Sequence, residues 1–475
     1  MDIAIINTWL LTFQGTGLGI IREGALGIED GRISYAGKSD DFNHDQAEMV
    51  IDGSDHVTMP GLINAHAHTG LTLLRGAAQD LPEIEWMNKG IGPFTNHLTA
   101  EDVIVGSKLG VLEGLKSGTT TFTEYARDVS TIVKNVYLPF QARVVAIETI
   151  NEVISDRTRL KPGDLYEFDQ SKGEAAIKRA NDLNREFENN ELVSTMYGPQ
   201  ALDMVSNDTL INLEQMTVDR NCRMHMHVAQ GKRERLQITG RYGKNSSTIS
   251  VLEKYGLLGN HLLAAHCHDT TEAERALMVK KGVKMVGCPS SISLIDGIIP
   301  PLWHYMQLGG ETGLGTDQVP GPGHINMFRE MRVASMLSKV VSKDPTALPP
   351  WKSLQLATID GARVLGLEQE TGSLIEGKRA DVITVNLNHT WLNPIVERPF
   401  SNIIPNLVYS STGSEVDNVI INGKLVITGG NFTSIDEQQV IRDARKRSAR
   451  IFESADEDWI RAGSKMVMYR REGWL

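Results

Sequence analysis

Histidines recur in pairs, two residues apart, where apolar runs end. Met59-Pro-Gly-Leu-Ile-Asn-Ala-His-Ala-His68 closes on His66 and His68. Cys222-Arg-Met-His-Met-His-Val-Ala-Gln230 carries His225 and His227, and Leu262-Leu-Ala-Ala-His-Cys-His-Asp269 carries His266 and His268. A carboxylate, Asp317, ends Gly313-Leu-Gly-Thr-Asp-Gln318. On an extended strand, residues two apart point to the same side. Each pair can therefore aim two imidazoles at one point, which suits a divalent metal ion. A single His-x-His is also what two exposed histidines at a strand end look like. Recurrence is the stronger signal, because these pairs hold six of the chain's 13 histidines. Neutral imidazoles with a carboxylate leave a position open for water, as catalytic metal sites require, and the ion lowers that water's pKa toward neutrality.

Short strands must position these groups. From residue 57, apolar runs of strand length alternate with long amphipathic segments. The strand candidates are 57–68, Gly118–Tyr125, Arg143–Glu148, Leu192–Gln200, Cys222–Ala229, His261–His268, Val283–Ser290 and Glu311–Gln318. Thr99-Ala-Glu-Asp is a capping signal for a helix running to Lys116, and Gly173–Asn189 has helical spacing. Eight strands alternating with helices predict an α/β fold, a (β/α)8 TIM barrel, whose active sites sit at the C-terminal ends of the strands. The segments Thr149–Gly173 and Gly231–Ser247 read as long loops at that face. Both ends of the chain differ in style. Residues 1–58 are short strands with a hairpin signal at Asp30-Gly31, and residues 369–435 carry another at Asn422-Gly423. Neither end is large enough to bury its own core, so the two are expected to pair into one small β-sandwich flanking a catalytic barrel at 59–368. Residues 436–475 read as a helical tail.

Composition narrows the function classes. The chain has 475 residues, 41% apolar and 23% charged, the profile of an ordinary globular protein. A net charge of −11 without a dense basic run argues against nucleic acid as the main partner. No apolar stretch reaches the roughly 20 residues of a membrane span. The start Met1-Asp-Ile-Ala-Ile has no basic segment before an apolar core, so no secretory signal is read there. The three cysteines, Cys222, Cys267 and Cys288, are odd in number and far apart, which points to a reducing cytoplasm.

Taken together the motifs resemble the metal-dependent amidohydrolase superfamily, in the branch of the nucleoside, guanine and s-triazine deaminases and chlorohydrolases. The resemblance covers nearly the whole length. It is carried by Pro60-Gly-Leu-Ile-Asn-Ala-His-Ala-His68, Lys116-Ser-Gly-Thr-Thr-Thr121, Ala265-His266, Gly315-Thr-Asp317, Ala357-Thr-Ile-Asp-Gly-Ala-Arg363 and Gly377-Lys-Arg-Ala-Asp-Val382. It implies one divalent ion, zinc before iron, cobalt or manganese, held by His66, His68, His227 and Asp317. His266 would orient the attacking water or the substrate, and Asp317 would take a proton from that water and return it to the leaving group. Relatives with two metals use a carboxylated lysine at the fourth strand. Here that strand ends Tyr197-Gly-Pro-Gln200, which favours one metal. His225 reads equally as support for a ligand or as a core histidine, and His268 as a loop neighbour.

Two departures bear on the substrate. Deaminases of this branch end the fifth strand with His-x-x-Glu, whose carboxyl protonates a ring nitrogen. This chain has His227-Val-Ala-Gln230, and an amide cannot transfer a proton at neutral pH. Gln200 stands where nucleoside deaminases usually place a substrate-binding histidine. Two amides suit a substrate that needs orienting. The expectation therefore leans to hydrolysis of a urea, carbamate, thiocarbamate or amide, with deamination of an N-heterocycle such as a purine, nucleoside or s-triazine as the alternative. A non-catalytic member that kept the fold for binding or assembly is a third reading, which loss of ligands would signal. Assembly into a homo-oligomer is expected. Gln230, Gln200 and Trp86 are the substrate-contact candidates. Leu71, Leu73, Leu74, Met87, Met204 and Ile295 would line the pocket or else pack the core. Glu124 and Asp128 would touch substrate or form structural pairs. The basic run Lys232, Arg233, Arg235, Arg241 and Lys244 would steer an anion or form a solvated face.

Overall fold

The computed structural model describes residues 1–15, 17–154 and 163–475. The N-terminal end forms strands β1 (Ile3–Leu11), β2 (Ile20–Glu29), β3 (Arg32–Lys38), β4 (Met49–Asp52) and β5 (His56–Pro60). At the predicted hairpin, Asp30 and Gly31 have φ of 50° and 75°, the positive values a tight two-residue turn needs.

The barrel strands follow. They are β6 (Leu62–His68), β7 (Thr119–Ala126), β8 (Arg143–Ile150), β9 (Val193–Pro199), β10 (Met224–Val228), β11 (Leu262–His266) and β12 (Lys284–Gly287). The eighth is broken into β13 (Thr312–Leu314) and β14 (Asp317–Gln318). Neighbours pair in parallel in chain order, as the alternating pattern predicts. β13 pairs with β12, while β14 pairs with β6, setting Asp317 opposite Ala67 and Gln318 opposite His68. The barrel thus closes through the broken strand. Asn64 clasps the break: its Nδ2 donates to Thr316 Oγ1 (2.8 Å) and its Oδ1 accepts from the Thr316 N–H (3.0 Å). At the break, a Cβ on Gly315 would come within 2.7 Å of the His66 backbone nitrogen, so glycine lets the two strands meet.

The C-terminal end adds β15 (Val382–Asn386), β16 (Val416–Ile421), β17 (Lys424–Thr428) and β18 (Asn431–Phe432). β15 lies antiparallel to β5, with Val382 opposite Pro60 and Asn386 opposite His56, which joins the two ends into one mixed nine-stranded sheet. The apolar run 57–68 is therefore shared between the two sheets, its first part in this one and its second in the barrel. The hairpin tips meet as in a sandwich: a Cβ on Gly423 would stand 2.5 Å from Gly31 Cα. Ile5, Leu26, Ile28, Ile33, Val382 and Ile420 fill the core between them.

Helices complete the frame. Ala100–Lys116 is capped by Thr99, whose hydroxyl accepts from the Asp102 N–H while Asp102 accepts from the Thr99 N–H. The tail helix Glu437–Ala462 packs Ile451, Ala455 and Trp459 onto Leu73, Leu74, Trp86 and Phe94, fixing the segment after β6 that forms one wall of the site. Of the two segments expected as loops, Gly231–Ser247 is instead mostly the helix Lys232–Tyr242. Of the other, residues 155–162 lie outside the described residues, and Val153 pairs with Phe168 across it. No helix among the described residues is long and apolar enough to cross a membrane.

Candidate metal centre and active site

Strand geometry brings the predicted groups to one end of the barrel. His66 and His68 end β6, His227 lies one residue before the end of β10, His266 ends β11, and Asp317 opens β14. Second partners set their tautomers. His68 Nδ1 lies 2.7 Å from the Tyr125 carbonyl oxygen and His227 Nδ1 lies 2.8 Å from that of Gln200. A carbonyl only accepts, so both rings carry the proton on Nδ1 and turn the Nε2 lone pair inward. His66 Nδ1 lies 2.7 Å from His225 Nε2, leaving His66 Nε2 buried with no partner among the described residues. His225 thus supports another histidine; the sequence left that open against core packing.

The inward atoms converge. His68 Nε2 and His227 Nε2 are 3.3 Å apart, and Asp317 Oδ1 lies 3.7 Å from His66 Nε2 and 3.5 Å from His68 Nε2. Donors around a tetrahedral ion with bonds of about 2.1 Å stand roughly 3.4 Å apart, so the spacing fits one ion the size of zinc. Donor atoms of His66, His227 and His266 also fall within 4.8 Å of one another, so His266 belongs to the same cluster. Burial first, then the neighbouring histidines, holds His66, His227 and His266 well below the usual imidazole pKa. They are neutral, the state in which imidazole binds metal. Burial pushes the Asp317 carboxyl up, and Ser291 Oγ donates to its Oδ2 at 2.6 Å. Asp317, His266 and Ala229 hold φ of 61°, 75° and 51°, backbone strain of about 1–3 kcal/mol each of a kind that gathers at functional sites.

Above the cluster opens a cavity of about 660 Å³. Gln200, Gln230 and Trp86, the substrate-contact candidates, line it with His68, His227, His266 and Asp317. Of the apolar candidates, Leu71, Met87, Met204 and Ile295 line it too, while Leu73 and Leu74 face the core against the tail helix. His268, read as a loop neighbour, also lines the cavity, with its side chain 1% exposed. Sequence reasoning missed Glu83, Asp296 and Ser291. The first two sit on connecting segments and belong to no motif.

Several alternatives resolve as structural. Glu124 is buried and accepts from the Thr69 N–H (3.1 Å) and the Tyr137 hydroxyl (2.6 Å); burial pushes its carboxyl up to about 7. Asp128 pairs with Arg179 at 3.3 Å on the surface. Three of the five residues of the basic segment are engaged within the protein. Arg233 is buried between Glu83 and Asp203, Arg235 pairs with Asp269, and Arg241 stacks on Phe168. Cys267 and Cys288 are buried, and burial raises both thiols.

Comparison with known proteins agrees with this geometry. Residues 57–426 match the model of the amidohydrolase family. The chain is 34% identical over 447 residues to a 5'-deoxyadenosine deaminase of Methanosarcina mazei, covering 94% of this chain and 97% of the relative. It is 32% identical over 431 residues to a 5-methylthioadenosine/S-adenosylhomocysteine deaminase of Moorella thermoacetica, covering 90% and 95%. Among solved structures it superposes on an adenosine deaminase of Xanthomonas campestris with bound zinc, with TM-score 0.85, 26% identity and coverage of 95% and 98%. The fold also matches an atrazine chlorohydrolase of Arthrobacter aurescens at TM-score 0.83 and 18% identity, over 94% and 100%. With the family model spanning most of its length and a donor cluster in place at the strand ends, the chain belongs to the amidohydrolase family and is a metal-dependent amidohydrolase acting on a carbon–nitrogen bond.

Proposed function

We propose that the chain is an aminohydrolase that removes an amino group from an N-heterocycle of the adenine-nucleoside type. One divalent ion, zinc first, would be held by His66 Nε2, His68 Nε2, His227 Nε2 and Asp317. The observation that carries this reading is a single cavity of about 660 Å³ that joins the donor cluster to Gln200, Gln230 and Trp86. That is the size class of a small-molecule site. The near-full-length likeness to deaminases of adenosine analogues moves weight from the urea and carbamate reading to this one.

The ion, when bound, would supply a water activated near neutral pH and a Lewis acid for the oxygen that attacks the ring carbon. Asp317 accepts a proton from that water at its carboxylate and delivers it to the departing nitrogen. His266 orients the oxygen that attacks or the one that develops charge. Gln230 offers an amide to the ring edge but transfers no proton, so Asp317 carries both transfers. Gln200 holds the polar edge, and Trp86 gives the ring a flat apolar wall.

Gln230 is also the observation that favours the second reading, hydrolysis of a urea, carbamate, thiocarbamate or amide, because a carbonyl substrate needs no ring protonation. Product analysis separates the two. Zinc-loaded protein should release ammonia from 5'-deoxyadenosine or 5'-methylthioadenosine. Amine and carbon dioxide from an aryl urea, with no ammonia from either nucleoside, would overturn the deaminase reading.

A further inference from the structure

Beside the metal donors the cavity carries polar atoms that no step above uses. Glu83 Oε2, Asp296 Oδ2, Trp86 Nε1 and both ring nitrogens of His268 are buried and lack a hydrogen-bond partner among the described residues. All four residues line the cavity. The side chain of His268 is 1% exposed and Trp86 is 6% exposed, so water does not reach these atoms freely. A buried polar atom without a partner costs about 1–3 kcal/mol, and a charged one more. Several together around one space mark a place built for a ligand.

The arrangement is held from behind. Arg233 Nε donates to Glu83 Oε1 at 2.5 Å, and its other end grips Asp203. That anchors Glu83 in the cavity wall and leaves its Oε2 without a partner among the described residues. On the opposite side, His268 Nε2 lies 3.3 Å from Asp296 Oδ2 in an orientation that makes no hydrogen bond. Gly231, next to Gln230, keeps the space open: a Cβ there would stand 3.2 Å from His268 Nε2 and 3.8 Å from Asp296 Oδ1. Glu83 and Asp203 share the Arg233 guanidinium, and Asp296 lies close enough for its charge to act on Glu83, so the cluster has an excess of carboxylates over cations. Burial raises the Glu83 pKa, Arg233 opposes that, and the charges of Asp296 and Asp203 push it further up. A cation placed here would relieve that repulsion.

We propose that Glu83 and Asp296, with His268 and Trp86 around them, form a substrate subsite for a positively charged or amino-bearing N–H group lying close to the reacting carbon. The chemical class is an amino- or amidino-substituted substrate whose N–H groups donate to the Glu83 and Asp296 carboxylates, while its apolar body rests on Trp86. The proposal takes from the aminohydrolase reading only the identity of the reaction, and its test does not need turnover.

The test is calorimetric titration of zinc-loaded protein with benzylamine and with benzyl alcohol. The two are matched in size, differ in charge and are inert to hydrolysis. A second arm compares binding and turnover of 2-aminoadenosine and adenosine. Benzylamine should bind at least about tenfold more tightly than benzyl alcohol, a difference of about 1.4 kcal/mol. Asp296→Asn and Glu83→Gln should each shrink the preference below about threefold. Asp296→Asn leaves the Arg233 pairs intact, so it reads the subsite even if Glu83→Gln folds poorly. Equal binding of the two probes, or a preference that Asp296→Asn leaves unchanged, would overturn the subsite. Silent nucleosides with the amine preference intact would overturn only the deaminase reading; deamination without the preference would overturn only the subsite.

Discussion

His225 does not line the cavity beside the donor cluster and is expected to hold no metal, yet replacing it should weaken metal binding. Its Nε2 lies 2.7 Å from His66 Nδ1, and both rings are fully buried; with His66 Nε2 on a metal ion the proton must sit on Nδ1, and His225 Nε2 then accepts it. In metal-free His225→Phe protein, His66 can shift its proton to Nε2 and avoid a stranded donor. Metal binding forbids that tautomer, because Nε2 must present its lone pair. The proton then sits on Nδ1 against a phenyl ring, at a cost of about 1–3 kcal/mol for an unpaired buried donor. In dissociation constant that is a loss of roughly 5- to 150-fold, in the range typical of residues that orient metal ligands. His225 Nδ1 has no partner of its own among the described residues, so the substitution strands no other group. The assay is zinc affinity by competition with a chromophoric chelator, with melting of the metal-free protein as a control on folding. His225→Gln keeps an acceptor and should recover part of the loss. A His225→Phe affinity within about threefold of wild type, or His225→Gln as weak as His225→Phe, would refute the tautomer argument.

Three further outcomes follow from the site and its surroundings. Asp317→Asn should lower turnover on the order of 10²- to 10⁴-fold, while melting of the metal-free protein holds or rises because a buried carboxyl with a raised pKa is replaced by a neutral amide. Near-normal activity would remove Asp317 from proton transfer. Gln230→Glu should speed release of ammonia from adenine nucleosides by restoring an acid at the ring edge; slower release would mean that the amide is needed for orientation. Glu124 is pushed up to about 7 from an ordinary 4.5, so the folded state keeps a proton that the unfolded state has already released between those values. Stability from this group is full below about pH 4.5 and is lost as pH rises through about 7, on the order of 3 kcal/mol at most. Metal-free Glu124→Gln protein should therefore lose less melting temperature between pH 5 and pH 8 than wild type, and an identical slope would contradict the assignment.

The fold was readable because local signals and the global layout agree. Asp30-Gly31 and Asn422-Gly423 are turns whose chemistry leaves little choice, and each histidine pair sits where an apolar run stops. What was hidden depends on contacts distant in the sequence. The segment Lys232–Tyr242 looks like a charged loop because its apolar residues are few. It is a helix held by Arg233, which reaches Glu83 150 residues away and Asp203 30 residues away. The break at Gly315-Thr316 is set by Asn64, 252 residues earlier. Spacing places His225 on the same strand face as His227, but only its contact with His66 shows which histidine it serves. Glu83 and Asp296 carry no motif, and only the shared cavity brings them together. Gln230 was legible in the sequence, and its weight changed: with near-full-length relatives that are deaminases, it no longer argues by itself for another reaction.

The proposed centre is one ion held by three Nε2 atoms and a carboxylate. Anomalous diffraction at the zinc edge from crystals of zinc-loaded protein tests that directly. One peak per chain is predicted, within about 2.0–2.2 Å of His66 Nε2, His68 Nε2, His227 Nε2 and an Asp317 oxygen. Two peaks in the cavity, or one peak away from these atoms, would contradict it.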